Sequence, residues 1–261
     1  MHILKSIALG ATVAMLAIGA AQAQEKVIKM GTEGAYPPFN SVTTDGKLEG
    51  FDIDIGNALC EQMKAKCEWV TQDWDGAIPA LQAGKFDAFI ASMSITEERK
   101  KQVDFSEKYY NTPPSIAALK DSGIKGVTKE DLAGKTIGVQ SGTTHFNYAE
   151  KTYTDSTIKP YPTADEMHAD FANGRVDAIN DDIIVTQKFL DSDTGKGCCV
   201  LVGTIPPVVE IHGPGAGVAV RKGDALAAEF SAAIKAIREN GKYKEINDKY
   251  FKFDAYGAEG S

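Results

Sequence analysis

The chain has 261 residues, 25% of them charged, and a formal net charge of −8. That length holds one large domain or two small ones, and the acidic balance argues against nucleic acid and anionic membrane surfaces as partners. It mildly favours a cationic ligand, although most acidic proteins are acidic only for solubility.

Residues 1–23 read as a cleavable signal peptide. Lys5 supplies the positive start, residues 7–20 form an apolar run, and Ala21-Gln22-Ala23 is a small-x-small cleavage site. An apolar run of about 14 residues is too short for a membrane anchor, which needs about 20. Cleavage is expected before Gln24, and the absence of a cysteine there argues against a lipoprotein. Loss of Lys5 takes the formal charge of the mature chain to about −9.

The hydrophobic pattern then alternates short strands with helices. A strand is expected over 26–33, stopped by Pro37-Pro38, with a turn at Thr43-Thr44-Asp45-Gly46. Phe51, Ile55, Ala58 and Leu59 share one face of a helix. A strand over 68–71, a helix over 75–83 and a strand over 86–91 complete a βαβα set, the pattern of a sheet covered by helices. Cys60 and Cys67 fall at the end of a helix and the start of a strand. In an exported protein a disulfide between them is the leading reading, two buried thiols the plainer one.

A second set follows. It has a strand over 135–140, a helix beginning at 142–150, a capping box at Thr163-Ala164-Asp165-Glu166, a helix to about 173 and a strand over 176–180. Residues 224–250 read as amphipathic helix. Leu81-Gln82-Ala83-Gly84-Lys85-Phe86-Asp87-Ala88 echoes Phe171-Ala172-Asn173-Gly174-Arg175-Val176-Asp177-Ala178. In both, a glycine suited to the left-handed position ends a helix before a strand. Two α/β lobes of similar build are expected, with a cleft between them where ligands bind. Tyr110-Asn111-Thr112-Pro113-Pro114 and Ile211-His212-Gly213-Pro214-Gly215-Ala216-Gly217 would cross between the lobes as a hinge. Cys198-Cys199 can close only a strained ring, so two free thiols compete with a bond.

Several segments carry a resemblance over nearly the whole mature chain. They are Gly31-Thr32-Glu33-Gly34-Ala35-Tyr36-Pro37-Pro38-Phe39, Gly50-Phe51-Asp52-Ile53-Asp54, Ser92-Met93-Ser94-Ile95-Thr96-Glu97-Glu98-Arg99, Gly138-Val139-Gln140-Ser141-Gly142-Thr143-Thr144 and Lys249-Tyr250-Phe251. In this order and spacing they resemble the polar amino-acid family of bacterial periplasmic solute-binding proteins serving ABC importers. Members of the lysine/arginine/ornithine- and histidine-binding type look most similar, and they carry a disulfide matching Cys60 and Cys67. Glu33-Gly34-Ala35-Tyr36 and Trp74 also resemble opine-binding members. The resemblance implies an α/β, two-lobed type II fold, each lobe a sheet flanked by helices and joined by a two-strand hinge. Lobe 1 would be 24–112 and 214–261, and lobe 2 would be 113–213. It also implies a periplasmic monomer without a cofactor, an amino acid or opine as ligand, and an inner-membrane permease as partner.

The resemblance assigns roles residue by residue. Arg99 would take the ligand α-carboxylate, since a guanidinium offers two parallel hydrogen bonds. Without the resemblance it would pass for a solvated surface arginine beside Lys100 and Lys101. Thr144, at a helix start whose backbone N–H groups favour an anion, would join it; plain helix capping is the competing reading. Asp182 would take the α-ammonium, although Asp181 is adjacent and a helix N-cap is an alternative role. Ser92 and Ser94 would complete the shell, and Ala91 departs from the serine of the most similar members. Tyr36 and Trp74 would sandwich the ligand side chain, as flat aromatic faces attract cations. Core packing explains most aromatics, but Trp74 lies between Asp73 and Asp75. Glu33 would meet the side-chain cation rather than merely face solvent. His145 is expected to be packed or exposed rather than a ligand contact.

Enzyme readings have little support. No hydrolase elbow, phosphate loop, zinc motif or nucleotide fingerprint appears, and of four histidines His2 falls in the leader and three are scattered. The rival is a periplasmic dehydratase of cyclohexadienyl type on the same fold, which would need an acid/base pair over its substrate.

Overall fold

The computed structural model describes residues 26–257. The expected leader and its cleavage site lie outside the described residues.

Strand Lys26–Thr32 is exposed where it enters and buried from Met30 onward. It lies inside a five-stranded sheet ordered Ala65–Thr71, Lys26–Thr32, Ala88–Phe89, Ala216–Arg221, Val103–Tyr110. The first three strands are parallel, and Ala216–Arg221 runs antiparallel to both its neighbours. Parallel neighbours need crossovers, supplied here by helices Phe51–Gln62 and Ala77–Gln82. The first of these buries Phe51, Ile55, Ala58 and Leu59, the face expected from their spacing. Gly50 precedes it at φ 126, where a Cβ would lie 2.2 Å from the Phe39 carbonyl oxygen. A disulfide joins Cys60 at the end of this helix to Cys67 in the next strand.

The second sheet repeats the plan. Its order is Thr157–Tyr161, Thr136–Gln140, Ala178–Asp182, Pro114–Leu119, Cys199–Thr204, with the first three strands parallel and Pro114–Leu119 antiparallel to both neighbours. In each sheet the reversed strand is the first one laid down after the chain arrives from the other. Gly84 and Gly174, at φ 72 and 71, end the two echoing helices as their sequences suggest. The chain crosses once through 111–113 and returns through 205–215. The return is not a simple strand, because helix Val209–His212 lies within it. A small antiparallel sheet of Ala35–Tyr36, Asn40–Val42 and Leu48–Glu49 extends the first lobe and carries Tyr36.

Several expected elements differ in extent. Residues 75–83 split into a 3-10 turn, Trp74–Gly76, and helix Ala77–Gln82. The strand expected over 86–91 shortens to Ala88–Phe89. The C-terminal segment is two helices, Leu226–Glu239 and Lys242–Tyr250, broken at Gly241, whose φ of 85 no helix interior tolerates. Cys198 and Cys199 are bonded to each other where helix Asp193–Cys198 meets the edge strand.

Candidate ligand-binding site

The site forms where the C-terminal ends of the parallel strands face each other across the two crossings. On the first lobe, Ala88–Phe89 feeds a loop through Ser92, which holds φ 56. That backbone is pinned from beneath. Ser92 N donates to Tyr109 Oη at 3.0 Å, and Ser92 Oγ donates to Asp52 Oδ2 at 3.1 Å. Asp52 also accepts from Asn40 Nδ2 at 2.8 Å and Tyr109 Oη at 2.7 Å. Burial lifts the Asp52 carboxyl to about 6, against the lowering effect of these donors. Ala91 is buried in the core, and Ser92 and Ser94 are the loop residues that face the cavity. The loop ends at Thr96, which caps the short helix Glu97–Lys100 by accepting from Arg99 N at 3.2 Å.

Arg99 points into the junction rather than into solvent. Its Nη1 donates to Ser94 O at 2.9 Å and its Nη2 to Gly142 O, on the opposite lobe, at 3.1 Å. The guanidinium lies 5.2 Å from the centre of the Trp74 ring. Burial lowers its pKa to about 10, so it stays charged near neutrality.

On the second lobe, strand Thr136–Gln140 ends in the turn that starts helix Thr144–Thr152. Thr143 caps that helix by accepting from Phe146 N at 3.0 Å. This leaves Thr144 facing the first lobe, its Oγ1 3.5 Å from Ser94 Oγ. Strand Ala178–Asp182 ends in two buried carboxylates. Asp182 accepts from Ile184 N at 2.7 Å, capping helix Ile183–Leu190, and also from Thr112 Oγ1 in the first crossing. Asp181 turns to the other face and accepts from Tyr36 Oη at 2.5 Å. Burial raises Asp181 to about 7 and Asp182 to about 6.

Tyr36, Ser92, Ser94, Thr144 and Asp182 line one cavity of about 50 Å³ between the lobes. Arg99 borders it through Ser94. Glu33 and Trp74 lie outside its lining but at the same junction. Glu33 Oε1 accepts from Gln140 Nε2, across the cleft, at 2.7 Å. Burial raises Glu33 to about 7, opposed by the Gln140 bond and reinforced by Asp165, Asp73 and Asp75. Trp74 stands against Gly142, where a Cβ would come 3.4 Å from its indole nitrogen. His145 is packed, as expected, but it also lines the cavity together with His212. Burial, followed by His212 and Arg99, lowers the His145 pKa to about 3, so the ring is neutral. Sequence reasoning missed Asp52, Tyr109, Thr112 and His212 as parts of the site.

Two like-built α/β lobes, crossed twice by the chain and meeting over a charged, enclosed cleft, define an extracellular solute-binding protein. The chain belongs to the bacterial extracellular solute-binding proteins, family 3, whose model matches residues 28–253. It is 48% identical to an L-arginine-binding protein of Pseudomonas aeruginosa, over 90% of this chain and 92% of that one. It is 38% identical to the lysine/arginine/ornithine-binding periplasmic protein of Escherichia coli, over 89% of this chain and 90% of that one. An ancestral arginine-binding protein solved with bound arginine superposes with a TM-score of 0.78 at 36% identity, over 87% of this chain and 99% of that one.

Proposed function

We propose that the chain captures a cationic amino acid in the periplasm, arginine ahead of lysine, ornithine and histidine, and delivers it to the permease of an ABC importer. The observation that carries this reading is the gathering of one cation and two carboxylates at the junction of the lobes. The half-buried guanidinium of Arg99 and the carboxyl of Glu33 each bond across to the second lobe, and Asp182 lines the cavity with Tyr36. Asp182 and Glu33 accept from the neutral groups Thr112, Ile184 N and Gln140, so their negative charge is left for a ligand to meet. An α-carboxylate on Arg99, beside the helix start at Thr144, would place an α-ammonium at Asp182, Ser92 and Ser94. A cationic side chain would then run between Tyr36 and Trp74 toward Glu33. The arginine- and lysine/arginine/ornithine-binding relatives support the same ligand class.

In this reading the protein is a monomer that does no chemistry. Lobe 1 is 24–112 with 214–261 and lobe 2 is 113–213, and the leader 1–23 directs export. A thermal-shift screen over amino acids and opines tests it, because a ligand bound only by the folded state raises the melting temperature. Arginine should give the largest shift. No shift with any cationic amino acid, or turnover of a prephenate-type substrate, would overturn the reading.

A further inference from the structure

The proposed ligand scheme uses Asp182 and leaves its neighbour Asp181 without a task. Asp181 is only 2% exposed, and a buried carboxylate is costly unless it is hydrogen-bonded. Its Oδ1 accepts from Asp182 N at 2.8 Å and from Tyr36 Oη at 2.5 Å. Its Oδ2 has no hydrogen-bond partner among the described residues. The imidazoles of His145 and His168 stand outside hydrogen-bond reach, at 3.8 and 3.9 Å. Among the described residues the Tyr36 hydroxyl is therefore the side-chain donor to this carboxylate.

The two partners come from different lobes. Asp181 is the penultimate residue of a strand of the second sheet, and the backbone amide of Asp182, donating to its Oδ1, fixes its aim. Tyr36 sits on the small sheet of the first lobe, its ring stacked on Phe39 with centroids 5.9 Å apart. Their hydrogen bond exists only when the lobes meet. We propose that Asp181 is a positioning residue of the site: it draws Tyr36 across the cleft and fixes the aromatic face on which the ligand side chain lies. This rests on the reading of Tyr36 as a ligand-stacking residue. Adjacent carboxylates on opposite faces of one strand end thus divide the work, Asp182 toward the ligand and Asp181 toward the opposite lobe.

The test is a double-mutant cycle on arginine affinity and dissociation rate, measured at pH 8, above the value near 7 to which burial lifts Asp181. A hydrogen bond to a charged acceptor is worth roughly 10- to 100-fold in binding. Tyr36→Phe alone should weaken arginine binding by that factor, mainly through faster dissociation. In an Asp181→Ala background the same change should cost less than about twofold. If Asp181→Ala does not fold, Asp181→Asn carries the cycle, because a neutral acceptor should shrink the Tyr36→Phe effect several-fold. Equal losses in both backgrounds, or Tyr36→Phe binding as tightly as wild type, would overturn the proposal while leaving the ligand class intact. A wild-type protein that binds no cationic amino acid would remove the functional reading and this proposal with it.

Discussion

Replacing Glu33 with glutamine removes one charge and almost no volume. Glu33 is 9% exposed, and its Oε1 accepts from Gln140 Nε2 at 2.7 Å. Glutamine keeps an acceptor oxygen for that bond, so the fold should stand. Removing one partner of a buried ion pair costs about 3–5 kcal/mol, roughly a hundred- to several-thousand-fold in affinity. With the carboxyl lifted to about 7 by burial, half the molecules are ionised at neutral pH, which weakens cation binding by only about twofold. Below that pH the wild type should lose up to about tenfold in arginine affinity per pH unit, because binding must expel the Glu33 proton. Above it the affinity should level off, and in Glu33→Gln this slope should be absent. The stability of the unliganded protein runs the other way. A folded pKa raised above the ordinary 4.5 contributes stability below about 4.5 that is lost as pH rises through about 7. Glu33→Gln should therefore gain on wild type across that window, by up to about 3 kcal/mol. The assay is titration calorimetry of both proteins with arginine and with citrulline, whose side chain is uncharged, alongside denaturant unfolding at each pH. Equal losses for arginine and citrulline would refute the contact between Glu33 and the side-chain cation.

Arg99→Ala should weaken every α-amino acid by at least about a hundredfold, and near-native affinity by calorimetry would remove the carboxylate clamp. Asp182→Asn keeps an oxygen to cap Ile184 N but loses the charge, so ligands with a free α-ammonium should bind more than about tenfold less tightly. Asp182→Ala should in addition lose about 1 kcal/mol of stability with the cap, read by chemical unfolding. Replacing Cys60 and Cys67 together with alanine should cost about 2.5 kcal/mol of stability, from the entropy of the short loop they close, and leave affinity unchanged.

What could be read from the sequence was whatever depends on near neighbours. The alternation of strands and helices, the twin glycines 84 and 174 and the helical face of Phe51, Ile55, Ala58 and Leu59 all follow from local periodicity, and the structure repeats them. Strand alternation likewise sends the adjacent side chains of Asp181 and Asp182 to opposite faces. The support beneath the site was not legible. Asp52 reaches Asn40, Ser92 and Tyr109 across 12, 40 and 57 residues of chain, and no local pattern announces such a network. The same holds for Tyr36 and Asp181, which are 145 residues apart and on different lobes. Gly241 is a miss of another kind. Amphipathic sequence on both sides carried one helix through it, although glycine is the residue that permits the break.

In the proposed function the cleft takes a cationic amino acid held by Arg99, Asp182 and Glu33. Calorimetric titration of the wild-type protein with arginine and then with glutamate near neutral pH tests it most directly. The two ligands share the α-ammonium and α-carboxylate and differ in the sign of the side chain facing Glu33. Arginine should bind tightly and glutamate should give no measurable heat of binding; tight glutamate binding, or no binding of arginine, would contradict the account.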